Sequence, residues 1–208
     1  MPPSFWERDG GMKSILRLFF TVLIITVAFT STVIPLIPVT GVSDLSTSSK
    51  QIVSNAASPA SKIDLAGAFT YSVIQQPKGN AGFVSVEADK LTQFSLATRY
   101  GSQGFLAHNY LAGASFFNLT VGSQITVTYT DGHSMAYEVQ EIRHLQAISP
   151  NSPTTNFRDL DHKNAKLTAK ALFMQTYGVK DRLVLQTCIA KDKEQSWGRM
   201  FIIATPVK

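Results

Sequence analysis

The sequence predicts a mainly β domain that folds as a compact barrel or sandwich with one or two helical segments. Short runs rich in β-branched and aliphatic residues recur between residues 81 and 207, and polar turn residues separate them. These runs are too short to be transmembrane helices. With 44% hydrophobic and 16% charged residues among 208, the chain has enough apolar side chains to build a core. Six or more short strands with few helices are typical of a small β-barrel or β-sandwich.

The predicted strands comprise residues 81–88, 104–108, 123–130, 135–145, 181–189 and 199–207. In the third strand, Ile125, Val127 and Tyr129 alternate with polar residues, which indicates one buried face. Asp131 and Gly132 follow as a favoured hairpin turn, so the third and fourth strands are expected to pair. The last two strands are dense in apolar residues and are predicted to be buried.

One helix is predicted over residues 165–178, between the fourth and fifth of these strands. Leu167, Ala171 and Met174 lie along one stripe at helical spacing, and Gly178 is a suitable C-terminal cap.

The N-terminal region predicts export. Lys13 and Arg17 precede 22 uncharged residues, Leu18 to Val39. Basic residues before a long apolar run are typical of a secretory signal or a single membrane anchor. No good small-residue cleavage site follows the run, which favours an uncleaved anchor with the bulk of the chain outside the cell. Cleavage would instead give a secreted protein.

Residues 40–62 are rich in Ser, Thr and Ala and predict a flexible spacer. The expected organisation is therefore a cytoplasmic tail and anchor in residues 1–39, a spacer in residues 40–62, and a folded domain in residues 63–208. The net charge of +5 is not concentrated in a Lys/Arg cluster, which argues against nucleic acid as a partner.

The chain has one cysteine, Cys188, at the end of the fifth predicted strand. Exported proteins usually pair their cysteines, so an unpaired one indicates a reactive thiol or an intermolecular bond. A buried cysteine that acts as a small apolar side chain is the alternative. The compartment alone leaves both interpretations open.

Two other residues are candidates for chemistry with this thiol. All four histidines precede Cys188, which disfavours papain-like enzymes, where the nucleophile comes first. His108 is the best candidate because it ends an apolar strand, whereas His133, His144 and His162 fit surface or structural roles. Arg199 opens the last strand, where a hairpin would bring it beside Cys188 to stabilise a thiolate or an oxyanion. A solvated arginine beside Trp197 is the alternative.

These residues follow an order that resembles the sortase family, the cysteine transpeptidases of bacterial cell surfaces. The order is a His after an apolar strand, F-x-x-L-x-x-G-x-x-I-x-V from about Phe117, L-x-T-C ending at Cys188, and Arg199 opening the final strand. The resemblance covers roughly residues 82–207 and implies a closed sortase-like β-barrel after a signal anchor and spacer. Two features depart from the family: Ala107 stands where sortases usually have glycine, and residues 165–177 are more helical than expected.

The resemblance implies a role for each candidate residue. Cys188 would be the nucleophile, His108 the general acid and base, and Arg199 the group that stabilises the oxyanion. Thr187 and Trp197 would contribute to substrate binding. The enzyme would cleave a sorting-signal peptide of the L-P-x-T-G kind through a thioacyl intermediate and pass the acyl group to an amine of the cell wall or of a pilin. No cofactor or metal is expected; some sortases use calcium, but the sequence has no acidic cluster suited to it.

Two alternatives remain. A cell-wall L,D-transpeptidase would carry Gly before the cysteine and after the histidine, whereas this chain has Thr187 and Asn109 there. A catalytically silent, membrane-tethered barrel that binds peptides would have a buried, inert Cys188.

Overall fold

The computed structural model describes residues 58–152 and 154–208, which contain ten strands and three short helices. The strands are β1 (Ala60–Leu65), β2 (Phe69–Gln75), β3 (Lys90–Gln93), β4 (Gln103–Leu106), β5 (Gln124–Tyr129), β6 (Ser134–Ala147), β7 (Phe157–Asp159), β8 (Lys166–Leu167), β9 (Leu183–Lys191) and β10 (Glu194–Pro206). The helices are α1 (Ser95–Arg99), a 3-10 helix (Ala112–Asn118) and α2 (Ala169–Thr176).

Eight of the strands close into a barrel in the order β10-β9-β4-β3-β2-β1-β5-β6, and β6 pairs back with β10. β7 and β8 extend the sheet beyond β6. The pairs β2–β3 and β4–β9 are parallel, and the other pairs are antiparallel. The prediction of a mainly β, closed barrel with a few short helices is confirmed.

The strands β9 and β10 bury side chains on both faces of the barrel wall. Leu185 and Ile202 point into the barrel and belong to its core, whereas Val184 and Phe201 point outwards and pack with Tyr177 beside α2. Alternate residues of a strand face opposite sides of a sheet, so a wall covered on both sides needs apolar residues at successive positions. This explains why the two strands read as nearly continuous apolar runs.

The predicted strand at residues 81–88 is wrong: this segment is an irregular connection between β2 and β3. Its backbone bonds go to side chains instead of a neighbouring strand. The Gln76 amide donates to the carbonyls of Ala81 and Phe83 at 3.0 Å each, and the Thr92 hydroxyl accepts from the Ser85 N–H. Alternation alone does not show whether a strand has a pairing partner.

The N-terminal predictions lie largely outside the described residues. This holds for the whole anchor segment, 1–39, and for the predicted spacer up to residue 57. Strand β1 begins at Ala60, inside the last residues assigned to the spacer, and pairs with both β2 and β5. Among the described residues, no helix has the length and apolar character needed to cross a bilayer.

Helix α2 is shorter than predicted, because β8 occupies the start of the predicted segment. It begins after Thr168, whose hydroxyl accepts from the Ala171 N–H and caps the helix. The predicted apolar stripe is also wrong. The helix buries Leu172 and Thr176, while Met174 is 41% exposed.

Both ends of the described chain lie beside the β5–β6 hairpin. Ala60 pairs with Tyr129 at the end of β5, and the Val207 N–H donates to the carbonyl of Ala136 at the start of β6. The other end of β6 lies beside the part of β10 that contains Arg199, which pairs with Leu145.

Candidate active site

Cys188 and Arg199 lie directly opposite each other on the antiparallel strands β9 and β10. Residues that pair in this way have their side chains on the same face of the sheet, with Cα atoms about 5 Å apart. Both side chains are half-buried. The predicted approach of Cys188 and Arg199 is thus present in the structure, although β9 continues to Lys191 and β10 begins at Glu194, so neither residue lies at the end of its strand.

His108 lies on the other side of Cys188, just after the end of β4. The parallel register of β4 and β9 pairs Leu106 with Gln186, and the Ala107 N–H donates to the Gln186 carbonyl at 3.2 Å. His108 lies two residues beyond Leu106, as Cys188 lies two residues beyond Gln186 on β9. Cys188 is therefore flanked by Arg199 on β10 and by the loop after β4 that begins with Ala107 and His108, and we refer to His108, Cys188 and Arg199 as one row.

This row is on the outer face of the barrel. Gln186 shares that face with Cys188, because the two residues are two apart on one strand. Beside them is a pocket of about 170 Å³. Its walls combine aromatic residues of the barrel and of α2 with polar groups, including Phe94, Phe157, Phe173, Tyr177, Gln186 and Arg199. Arg199 is the member of the row that lines this partly aromatic groove.

The segment before Arg199 bulges out of the sheet. The register of β9 and β10 shifts between Glu194 and Gly198, so residues 190–198, which lie between the two predicted strands, form a tight turn followed by a bulge. Trp197 lies in this bulge, and the Lys191 ammonium lies 4.9 Å from the centre of its indole ring. The sequence offers no signal for the bulge, because its polar residues fit an ordinary loop equally well.

Arg199 is held by the backbone of that bulge. Its Nη1 donates to the carbonyls of Ser196 at 2.9 Å and Gly198 at 2.8 Å. Among the described residues, these are the hydrogen bonds that the guanidinium makes, so Nε and Nη2 remain available to a substrate. On the opposite side, the Asn109 amide donates to the Gln195 carbonyl at 3.4 Å and links the loop after His108 to the bulge.

The environment of His108 favours the neutral imidazole. Burial lowers the pKa of His108 below its ordinary value, and a hydrogen bond with the backbone of Val84 opposes this only in part. The ring also stacks on Tyr110, with ring centres 5.2 Å apart. Neutral imidazole can accept a proton from a thiol or from an incoming amine.

This pKa can be measured by NMR. The ring signal of His108 is identified as the one that is missing from the spectrum of His108→Gln. In a pH titration this signal should have a midpoint below about 6.5, the ordinary histidine value. A lowered pKa means that the proton leaves at lower pH than in free histidine. A midpoint at or above that value would contradict the burial of the ring.

The two residues predicted to bind substrate have different surroundings. Thr187 is 2% exposed, faces the barrel interior beside Met200, and donates its hydroxyl to the Ala107 carbonyl at 2.9 Å. Trp197 is half-buried in the bulge. Gln186 is the polar side chain of β9 that lines the groove, and its Oε1 accepts from the Tyr177 hydroxyl at 2.8 Å. The two-residue spacing from Cys188 is the sequence signal that points to Gln186.

The other histidines each lie beside an aspartate. His133 contacts Asp131, and His144 contacts Asp161 at 3.3 Å. His162 contacts Asp159, which also forms an ion pair with Arg143. Within the part of the chain that the structure describes, no group of three or more His, Cys, Asp or Glu side chains is arranged to hold a metal ion.

A buried ion pair ties the connection that carries α2 to the barrel. Arg143 of β6 and Asp159 of β7 are 7% and 2% exposed, and Nη2 lies 2.5 Å from Oδ2. Arg143 also donates to the Gln175 side chain on α2 at 3.2 Å. Burial alone would raise the pKa of Asp159, but hydrogen bonds from Arg143 and His162 outweigh it and hold that pKa below its ordinary value. This network supports one wall of the groove.

No protein-family model matches the chain, and no curated protein matches it. Solved structures with a similar chain trace include sortase C1 from Streptococcus suis, which is 12% identical, with a TM-score of 0.46 over 72% of this chain and 73% of that chain. Sortase C1 from Streptococcus agalactiae is 14% identical, with a TM-score of 0.44 over 71% and 67% of the two chains. Sortase C from Clostridium perfringens SM101 is 9% identical, with a TM-score of 0.41 over 71% and 68%. These structures are sortases, the family that the motifs around Cys188 resemble.

Proposed function

We propose that this chain is a sortase-like cysteine transpeptidase that cleaves a sorting-signal peptide and transfers it to an amine. The observation that carries the proposal is the row of His108, Cys188 and Arg199 across β4, β9 and β10. A thiol, a neutral imidazole and a fixed positive charge on one open face are the groups that acyl transfer through a thioester requires.

The reaction has two steps. In the first, neutral His108 takes the proton of the Cys188 thiol, the resulting thiolate attacks a peptide carbonyl, and Arg199 stabilises the negative charge on the carbonyl oxygen. The C–N bond breaks, a S–C bond forms, and protonated His108 gives its proton to the departing amine. In the second, neutral His108 takes a proton from an incoming amine, whose nitrogen attacks the thioester. The new C–N bond replaces the S–C bond and returns Cys188 as the thiolate.

The groove supports a peptide substrate. Its aromatic walls suit an apolar side chain, while Gln186 and the free guanidinium nitrogens of Arg199 offer donors to peptide carbonyls. Trp197, in the bulge beside Arg199, is proposed to contact the peptide on the other side of Cys188. The acceptor is an amine of the cell wall or of a pilin subunit.

The proposed location is the outer face of the cell membrane, with residues 1–39 as a single-pass anchor. The uncharged run that follows Lys13 and Arg17 supports this location.

Trapping the intermediate tests the reaction. The full-length protein is incubated with sorting-signal peptides of varied sequence, with and without an added amine, and analysed by intact-protein mass spectrometry. An acyl adduct on Cys188 that disappears when the amine is added supports the proposal. If Cys188 resists iodoacetamide and no peptide forms an adduct or a transfer product, the chain is a peptide-binding barrel instead.

Arg199→Lys separates charge from geometry. Lysine keeps the positive charge but cannot present the planar fork of donors, so acyl transfer should fall by about 10²–10³-fold, as on loss of an oxyanion donor. The measurement is kcat/KM with a cleaved peptide. Lys191→Arg is the matched control, because it exchanges lysine and arginine in the opposite direction. Lys191 lies beside Trp197, on the neighbouring strand. Equal activity of Arg199→Lys and the wild type would contradict the assigned role.

A further inference from the structure

We infer that Gly113 and Thr187 are positioning residues that hold the backbone of His108 against the strand that carries Cys188. The inference rests on the proposed function, because it concerns the approach of two of its catalytic groups. Neither residue touches the reacting atoms in this scheme; each acts through His108.

The first contact runs from the residue before Cys188 to the residue before His108. The hydroxyl of Thr187, itself 2% exposed, donates to the Ala107 carbonyl at 2.9 Å. The Ala107 N–H donates to the Gln186 carbonyl at 3.2 Å. Both backbone groups of Ala107 are therefore bound by the two residues that precede Cys188. A shift of β9 would move the start of the His108 loop with it.

The second contact comes from the start of the 3-10 helix. The His108 carbonyl accepts from the N–H groups of Leu111 at 3.0 Å and Gly113 at 3.1 Å. This turn closes directly after β4, so the His108 backbone is bound from the helix side as well. His108 thus lies between β9 and the 3-10 helix.

Gly113 lies next to the atoms of both contacts. A Cβ atom at this position would lie 2.4 Å from Thr187 Oγ1, 2.7 Å from the His108 carbonyl oxygen and 3.0 Å from the Ala107 carbonyl oxygen. These are the atoms that form the contacts described above. Gly113 does not have a positive φ, so the position requires glycine for space and not for backbone conformation. Barrel backbone and a buried hydroxyl cannot move aside as a flexible side chain would.

The expected consequence of an added methyl group is therefore a displaced His108. A misplacement of about 1 Å between catalytic groups can reduce the rate about 10²-fold. Gly113→Ala should lower kcat for acyl transfer by about 10- to 100-fold and leave KM nearly unchanged, because neither Gly113 nor the atoms its methyl group would meet line the groove.

The experiment uses two readouts on the full-length protein. The first is kcat and KM with a cleaved peptide. The second is the rate of Cys188 alkylation by iodoacetamide against pH, which needs no substrate. An imidazole that takes the thiol proton speeds alkylation, so the wild type should react faster than His108→Gln. Gly113→Ala should react at a rate close to that of His108→Gln.

Thr187→Val and Thr187→Ser provide a second test that does not add bulk. Valine removes the hydroxyl at nearly constant volume and should reduce kcat and alter the alkylation profile, while serine should restore both. Ser102→Ala is the control, because it also removes a buried hydroxyl bound to a carbonyl, at the opposite end of β4. The inference is overturned if Gly113→Ala and Thr187→Val keep the wild-type alkylation profile. A wild-type protein whose alkylation is faster than that of His108→Gln but which shows no transfer activity would instead count against the proposed function alone.

Discussion

Cys188→Ala is expected to abolish acyl transfer while leaving the barrel folded. Cys188 is half-buried on the outer face, outside both apolar clusters of the barrel, so its side chain contributes little to the core. Without the thiol there is no covalent intermediate, and removal of a nucleophile from a comparable catalytic set reduces the rate by about 10⁴-fold or more. The measurement is the initial rate of peptide cleavage together with the mass of the protein after incubation with peptide.

Cys188→Ser is the matched control, because it keeps the size of the side chain and replaces the thiol by a hydroxyl, which ionises far less readily. It should fold like the wild type, resist iodoacetamide and show at most a trace of activity. Cleavage by Cys188→Ala at the wild-type rate would assign the activity to another residue. Unfolding of Cys188→Ala would show that the thiol has a structural role.

Asp159→Asn should have the largest effect on stability. The substitution removes the buried carboxylate partner of Arg143 and turns an amide towards the guanidinium, which keeps the longer contact of 3.6 Å with the exposed Glu141 carboxylate. Loss of one partner of a buried ion pair typically costs about 3–5 kcal/mol. Urea unfolding at pH 7 should therefore show a free energy of unfolding lower by about this amount. Asp159 is on β7, in the connection that leads to α2, and α2 lines the groove. Weaker peptide binding should therefore accompany the loss of stability.

The pH dependence of this contribution has a definite sign. The folded pKa of Asp159 lies below its ordinary value, so its contribution is complete above the unfolded pKa of about 3.9 and is lost as the pH falls through the folded pKa. Glu87→Gln is the control, because its pair with Lys90 is exposed to solvent and contributes far less than a buried pair. Equal destabilisation by the two substitutions at pH 7 would show that the Asp159 pair contributes no more than a surface pair.

The sequence predicts the hairpins of this fold because they are local. Alternating residues from Ile125 to Tyr129 and the Asp131-Gly132 turn are sufficient to pair β5 with β6. In the same way, two apolar runs around one turn are sufficient to bring Arg199 opposite Cys188. Two of the three proposed catalytic residues could therefore be placed together from the sequence.

The third proposed catalytic residue, His108, is placed by a contact that no local sequence pattern encodes. His108 approaches Cys188 because β4 and β9 pair in parallel, although 80 residues separate Gln103 from Leu183. The family resemblance implied that His108 acts together with Cys188, whereas the periodicity of the sequence gave no indication of it. The groove was missed for a related reason, since the buried face of α2 depends on β8 and on the Arg143 network, both set by tertiary contacts.

The two ends of the described chain have a practical consequence for work with this protein. Ser134, at the start of β6, lies near both ends, and Leu145, further along β6, pairs with Arg199 beside Cys188. Between these two residues β6 covers roughly 35 Å at about 3.3 Å per residue. A solid support attached through a linker at either end of the described residues would therefore hold the protein with Cys188 turned to the solution. Peptides displayed on large particles should then have access to Cys188.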